Sequence, residues 1–223
     1  MIKTLSLYTG LCASASLFAN GKVLAATHEE RFTRKKNDEV FPRNAIDYCF
    51  RETGFSPSDL DGIAIASFVS TFDNTLVRWS QWSVDDYLKE QNQCWYPYLI
   101  KKSGELKSLL EIFPEKIDLD LYPSEYWQKT YQDQDRNERY SKDRMQIVAD
   151  YLDIDVSKVY RIDHHRCHAA YSYYASSFRS ERILALTVDG WGDGMNATIG
   201  IFDEEGSYVR HYATDQCSIA RFY

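Results

Sequence analysis

The chain has 223 residues, about one and a half domains at roughly 150 residues each, enough to bury a sizeable core. Its 26 basic and 33 acidic side chains leave a net charge of −7, which argues against gripping a nucleic-acid backbone. No run of about eighteen apolar residues occurs, so no membrane span is expected.

The chain opens with β-compatible runs at 2–8 and 12–19, joined by Thr9-Gly10, and Asn20-Gly21 leads into Lys22–Thr27. Asn-Gly between apolar stretches is a strong hairpin signal because both central residues take positive φ. Three antiparallel strands are therefore expected. A signal peptide from Leu5 to Ala19 is disfavoured because Thr9, Gly10, Ser14 and Ser16 interrupt the apolar run. A helix follows at Arg43–Thr53, stopped by Gly54, and then a buried strand at Asp61–Ser67.

The stretch 68–140 reads as a helical, aromatic-rich insert containing Trp79, Trp82, Trp95, Tyr96, Tyr98, Tyr122, Tyr126, Trp127 and Tyr131. Packing of inserted helices is favoured over a substrate or partner surface. Helical spacing runs from Leu99 to Phe113 and again over Asn137–Leu152. A short strand is expected at Val159–Ile162, then a helix over His164–Phe178 capped by Asp163.

From Ile183 the opening pattern returns: strands at Ile183–Val188, Ala197–Phe202 and Tyr208–Tyr212, separated by the glycine turn DGWGDG and by Glu204–Gly206. ASASLF (13–18) overlays ATIGIF (197–202), and Gly21 overlays Gly206. Such a duplicated three-stranded opening resembles an α/β, actin-like ATPase fold with ribonuclease H-like lobes. Residues 1–180 would form the first lobe and 181–223 the first three strands of an incomplete second. In that architecture the two glycine turns hold phosphates through backbone N–H groups, which makes Gly10, Ala13, Ser14, Gly190 and Gly192 candidates. The crossover helix that should cover the second sheet is not found before Tyr223, so the chain reads as the front portion of a longer protein.

Three of the five histidines fall in the run Asp163-His164-His165-Arg166-Cys167-His168. On a helix His164 and His168 share a face, the spacing that lets two imidazoles grip one metal ion, and His165 is left to donate a supporting hydrogen bond. Asp189, ending an apolar strand, is the candidate third ligand. Two imidazoles and a carboxylate suit Fe(II), Mn(II) or Zn(II), and histidines satisfied in a core or on a surface are the plain alternative. The run Glu29–Lys36 places four cations behind two carboxylates, so Arg31 and Arg34 either bind an anion or line a solvated loop. The cysteines, Cys12, Cys49, Cys94, Cys167 and Cys217, contain no C-x-x-C pair and suit free thiols in a reducing cytoplasm, with Cys167 expected to be buried.

The runs NGKVLAATHEERFTRKKNDEVFP (20–42), DHHRCHAAYSYYASSF (163–178) and LALTVDGWGD (184–193) together resemble the N-terminal, actin-like domain of nodulation- and antibiotic-type O-carbamoyltransferases, a family similar to the tRNA threonylcarbamoyl-transferring enzymes. The resemblance implies carbamoyl adenylate made from carbamoyl phosphate and ATP, and carbamoyl transfer to a hydroxyl or amine acceptor. It implies a metal, iron foremost, on His164, His168 and Asp189, with a further aspartate beyond Tyr223. One position departs: where the family carries a histidine in its first glycine turn, this chain has Leu11, which cannot act as a base. Because the resemblance puts the adenosine-binding half and the adenylate-forming domain outside these 223 residues, the isolated chain is expected to lack transfer activity. The alternative is an actin-like binding or assembly module completed by a separate C-terminal chain.

Overall fold

The computed structural model describes residues 1–77, 82–102, 105–179 and 181–216. Trp79, Cys217 and the segment 218–223 lie outside these. The chain divides into two compact units, one of residues 1–65 and 70–160, the other of 66–69 and 161–223.

In the first unit, β1 (Lys3–Tyr8), β2 (Ser14–Ala19) and β3 (Lys22–His28) form an antiparallel meander. Alternation decides which face is buried: Leu5, Leu7, Ala15 and Leu17 all point into the core, with Leu5 opposite Leu17 and Leu7 opposite Ala15. Asn20 and Gly21 take φ of 48° and 73°, as the two-residue turn requires. The strand β4 (Gly62–Ala66) runs parallel to β1, and β5 (Val159–Ile162) completes a sheet ordered β3-β2-β1-β4-β5. An antiparallel meander with β4 added parallel to its first member makes this a mixed sheet, as the sequence predicts for the first lobe.

A short helix α1 (Glu30–Thr33) follows β3, and α2 (Arg43–Thr53) buries Ala45, Ile46 and Cys49 in the core that covers this sheet. Gly54 closes α2 in the left-handed region, its N–H donating to the Phe50 carbonyl. At the other end Pro42 supplies no cap. Glu29 does so from outside the helix: its carboxylate accepts from the Asn44 N–H at 3.2 Å, the Asn44 side-chain amide at 2.6 Å and the Ala45 N–H at 2.8 Å. Burial pushes the Glu29 carboxyl above its ordinary value, against these lowering bonds.

The insert contains α3 (Phe72–Thr75), α4 (Val84–Glu90) continued as a π-helix over Gln91–Ile100, α5 (Leu109–Ile112), α6 (Ser124–Tyr131) and α7 (Arg136–Leu152). Its aromatics form a second core: Tyr122 and Tyr140 are buried, with Trp82, Trp95, Tyr126, Trp127 and Tyr131 packed around them. Tyr140 belongs to this core, while Val148, Ala149 and Leu152, further along α7, belong to the first. The continuous helix expected over Leu99–Phe113 does not form. Leu99 and Ile100 are exposed at the end of the π-helix, and the Ser108 hydroxyl caps a new start by accepting from the Leu110 N–H. Pro114 then stops α5 after one turn.

In the second unit, α8 (His164–Tyr174) packs on an antiparallel sheet of β6 (Ile183–Gly192), β7 (Met195–Phe202) and β8 (Tyr208–Thr214). Ala169 and Tyr173 meet Ala185 and Phe202, and the Tyr173 and Phe202 rings stack at 4.3 Å. The helix ends at Tyr174 rather than at the expected Phe178, because the Ser176 hydroxyl turns back onto the Tyr173 carbonyl. The DGWGDG run is not one turn. Strand β6 continues to Gly192 through an irregularity after Val188, and Asp193-Gly194 alone makes the reversal, at φ of 49° and 79°.

Replacing Glu29 by alanine removes the remote cap of α2 and is expected to cost about 2 kcal/mol of stability, read by urea denaturation. An unchanged midpoint would show that the helix start needs no such partner.

Candidate metal centre

The N-terminus of α8 is fixed first by Asp163, whose carboxylate accepts from the Arg166 N–H at 2.7 Å. This puts His164 in the first position of the helix and His168 one turn on. Their Nε2 atoms stand 3.0 Å apart. Asp189, near the end of β6, brings Oδ2 to 2.7 Å from the His164 Nε2 and 3.9 Å from the His168 Nε2, while its Oδ1 accepts from the Gly190 N–H. The three ligand atoms thus lie within 4.8 Å of one another. Ligands about 2.1 Å from one ion are separated by about 3.0–3.4 Å, a range that the separations of 2.7, 3.0 and 3.9 Å straddle, so the three residues stand close enough together to hold one divalent cation. Burial lowers the His168 pKa, and its histidine neighbours add to that against the opposing Asp189, which favours the neutral, ligating imidazole.

Gly192 makes room for this arrangement. A Cβ at that position would overlap the His164 ring. His165 is fully buried and does not support the pair as expected. Its Nδ1 meets the Thr187 hydroxyl at 2.7 Å and its Nε2 the Met195 carbonyl at 3.1 Å, which ties α8 to β6 and β7. On a helix, residue 165 points 100° away from 164, toward the sheet.

The residue that sequence reasoning undervalued is Asp193. Its carboxylate accepts from the Ser67 hydroxyl at 2.8 Å and from the N–H groups of Phe68 at 2.9 Å, Val69 at 2.8 Å and His164 at 2.8 Å. Burial acts to raise its pKa, but these four bonds prevail and hold it below the ordinary value. The only sequence signal was an Asp-Gly turn, which says nothing of partners 29 to 126 residues away.

The remaining candidates have mixed surroundings. In the first unit, Leu11 is exposed, Ala13 is buried with its N–H donated to the Asp38 carbonyl, and Ser14 lies in β2 opposite Tyr8. Gly10 stands against the Tyr8 ring. Arg31 and Arg34 are exposed, whereas Glu30 beside them accepts from the Asn37 N–H and pairs with Lys36. The four described cysteines are unpaired, and burial pushes the Cys167 thiol up to about 11. Among the described residues no helix is long and apolar enough to cross a membrane.

The profile of the carbamoyltransferase N-terminus matches residues 7–223. The chain belongs to that family. Among curated proteins, this carbamoyltransferase N-terminal chain is 26% identical over 201 residues to the nodulation protein NolNO of Sinorhizobium fredii, covering 90% of this chain and 22% of that one. It is 26% identical over 197 residues to protein sll1178 of Synechocystis, covering 88% and 26%. It therefore spans about a quarter of the length of these relatives. YeaZ from Pseudomonas aeruginosa aligns over 98% of this chain and 71% of that one at 13% identity, with a TM-score of 0.41.

Because the folded pKa of Asp193 lies below its unfolded value of about 3.9, its contribution to stability is complete above that value. That contribution is lost as pH falls through the lowered folded pKa. Thermal unfolding from pH 5 downward should show this loss in the wild type and much less of it in Asp193→Asn. At neutral pH, Asp193→Ala is expected to cost about 3 kcal/mol. Parallel pH profiles for wild type and Asp193→Asn would contradict the assignment.

Proposed function

We propose that this chain forms the metal-holding wall of a carbamoyltransferase that moves a carbamoyl group from carbamoyl adenylate, made from carbamoyl phosphate and ATP, to a hydroxyl or amine acceptor. The observation that carries the reading is the convergence of His164, His168 and Asp189 in a chain of this family. The donor set suits Fe(II), Zn(II) or Mn(II), with the resemblance favouring iron. When bound, such an ion supplies Lewis-acid polarisation and a template for phosphate and carbamoyl oxygens.

The protein's own part is placement. His164 and His168 present ring nitrogens from one helical face, Asp189 adds a carboxylate oxygen, and Gly192 leaves space for the first ring. Taking each unit by itself, Gly10 and Ser14 in the first and Gly192 in the second are the glycine-turn members assigned to phosphate. The Ala13 and Gly190 N–H groups are already engaged. Exposed Arg31 and Arg34 are assigned to an anionic group of the substrates. Leu11 accepts no proton, so the base for the acceptor hydroxyl belongs to another residue, either of this chain or of the polypeptide that completes the enzyme. Unpaired cysteines suit a cytoplasmic setting.

A second reading, an assembly module completed by a separate chain, is favoured by one observation. The sheet face turned away from α8 exposes Leu184 (69%), Leu186 (63%), Val188, Val209 and Tyr212. Size-exclusion chromatography with light scattering should then show self-association, or co-elution with a completing chain, that Leu186→Asp weakens. A chain that stays monomeric at high concentration and takes up no such partner counts against the module.

Metal analysis tests the first reading. His164→Ala should reduce bound iron or zinc from near-stoichiometric to trace with circular dichroism unchanged, and Gly192→Ala should do the same by displacing the ring. Wild-type metal content in both variants would return the histidines to an ordinary structural role.

A further inference from the structure

The longest helical run of the insert, α4 with the π-helix that continues it from Val84 to Ile100, lies wholly within the first unit and has two unlike faces. Inward, Glu90 and Cys94 are buried, four residues apart. The Trp95 indole N–H donates to the Glu90 carboxylate at 2.7 Å, and the Lys89 ammonium donates to the Ile112 carbonyl at 2.6 Å. These contacts fix the rotation of the helix, so its outer face is a defined surface.

Outward, the same spacing of four recurs as Val84, Leu88, Asn92, Tyr96 and Ile100. All five are exposed, Val84 at 75% and Ile100 at 65%. Single apolar residues on a surface need no explanation, but four in one row do. The winding keeps that row straight. Four α-helical residues overshoot a full turn by about 40°, whereas four residues of the wider i→i+5 winding fall short of one. The drift gathered on the way to Asn92 is therefore undone on the way to Ile100.

The row is also a palindrome. Asn92 stands at its middle, Leu88 and Tyr96 lie four residues to either side, and Val84 and Ile100 lie eight. Its two ends carry opposite charge. At the first turn Asp85 is exposed, next to Asp86, whose carboxylate accepts from the Ser83 N–H and pairs with Lys116. Just past Ile100, Lys101 and Lys102 are exposed, and the Lys101 ammonium lies 5.4 Å from the centre of the Tyr96 ring.

We propose that this face is self-complementary, and that a second copy of the chain docks the same helix on it, antiparallel, about a two-fold axis at Asn92. In that register Val84 of one copy meets Ile100 of the other, Leu88 meets Tyr96, and Asn92 meets Asn92. Charge selects the direction. A parallel pair would set Asp85 against Asp85 and Lys101 against Lys101, whereas the antiparallel pair sets lysines beside the Asp85 turn at both ends. A two-fold interface uses one patch on both copies, so each favourable contact occurs twice. The amide at the axis fixes the register, because its donor and acceptor are satisfied against another amide and not against an apolar side chain. Contact along roughly 20 Å of one helix is at the small end of specific interfaces, which points to a dissociation constant in the micromolar range. The inference does not rest on the carbamoyltransferase reading.

Sedimentation equilibrium of the full chain through the micromolar range should show monomer and dimer in exchange. Leu88→Asp should weaken the dimer about tenfold or more with circular dichroism unchanged, since that side chain is exposed. Asp85→Lys and Lys101→Glu should each weaken it, and the two together should restore it. Loss of the contact between Lys101 and Tyr96 would give no such rescue. Disulfide trapping reads the direction. Under mild oxidation Asn92→Cys should cross-link to its own copy, above any background from the native cysteines. Val84→Cys should cross-link to Ile100→Cys when the two are mixed, and not to itself. Leu186→Asp, on the sheet of the second unit, should leave the Asn92→Cys cross-link in place. The proposal is overturned if the wild type stays monomeric through that range or if Leu88→Asp dimerises as the wild type does. It is equally overturned if Val84→Cys cross-links to itself, which would mean a parallel pair, or if Leu186→Asp removes the cross-link, which would assign the association to the sheet face.

Discussion

The second unit is organised around one carboxylate. Asp193 sits at the tip of the β6–β7 hairpin and collects four hydrogen bonds, from residues 67–69 and from the first residue of α8. A half-buried carboxylate is costly unless its lone pairs are filled, and here they are filled by backbone N–H groups that have few other partners at a helix start and in an irregular segment. The consequence is positional. The His164 backbone is tied to the hairpin whose strand carries Asp189, so both sides of the ligand cluster are referenced to one short turn. Charge-assisted bonds of this kind are worth about 1.5–3 kcal/mol singly, and they act here as one unit rather than as a sum.

Around that fixed point the three histidines divide the labour by their helical angle. His164 and His168 face Asp189, while His165 turns inward and joins a chain of hydroxyls, since Thr187 also meets Thr198 at 2.7 Å. A buried polar chain satisfied at every link holds the helix at one height on the sheet. The buried imidazole of His165 therefore sets where the other two point.

Much of this was legible in the sequence where the governing contacts are short-range. The Asn20-Gly21 hairpin, the alternation Leu5/Leu7 and Ala15/Leu17, the Gly54 stop and the i,i+4 histidine pair each depend on neighbours within a few residues or on strict periodicity. Glu29 and Asp193 were not legible because their partners lie far along the chain, at Ala45 and at Ser67. Neither was the break within Leu99–Phe113, where the apolar spacing looked helical but the Ser108 hydroxyl competed for the backbone and began a new turn. The adjacent glutamates of the EERF run show the same limit. Glu29 caps a distant helix and Glu30 closes its own loop, although composition alone makes them look equivalent.

The void at Gly192 carries a further meaning. Because the His164 ring occupies the volume that any side chain at 192 would need, the two positions share one space and cannot vary independently. A chain that keeps histidine on the helix is bound to a residue without a Cβ on the strand, and one that gives up the ring frees position 192 as well. The constraint on the helix is thus written a second time on the strand, in a residue that touches no ligand and supplies only space.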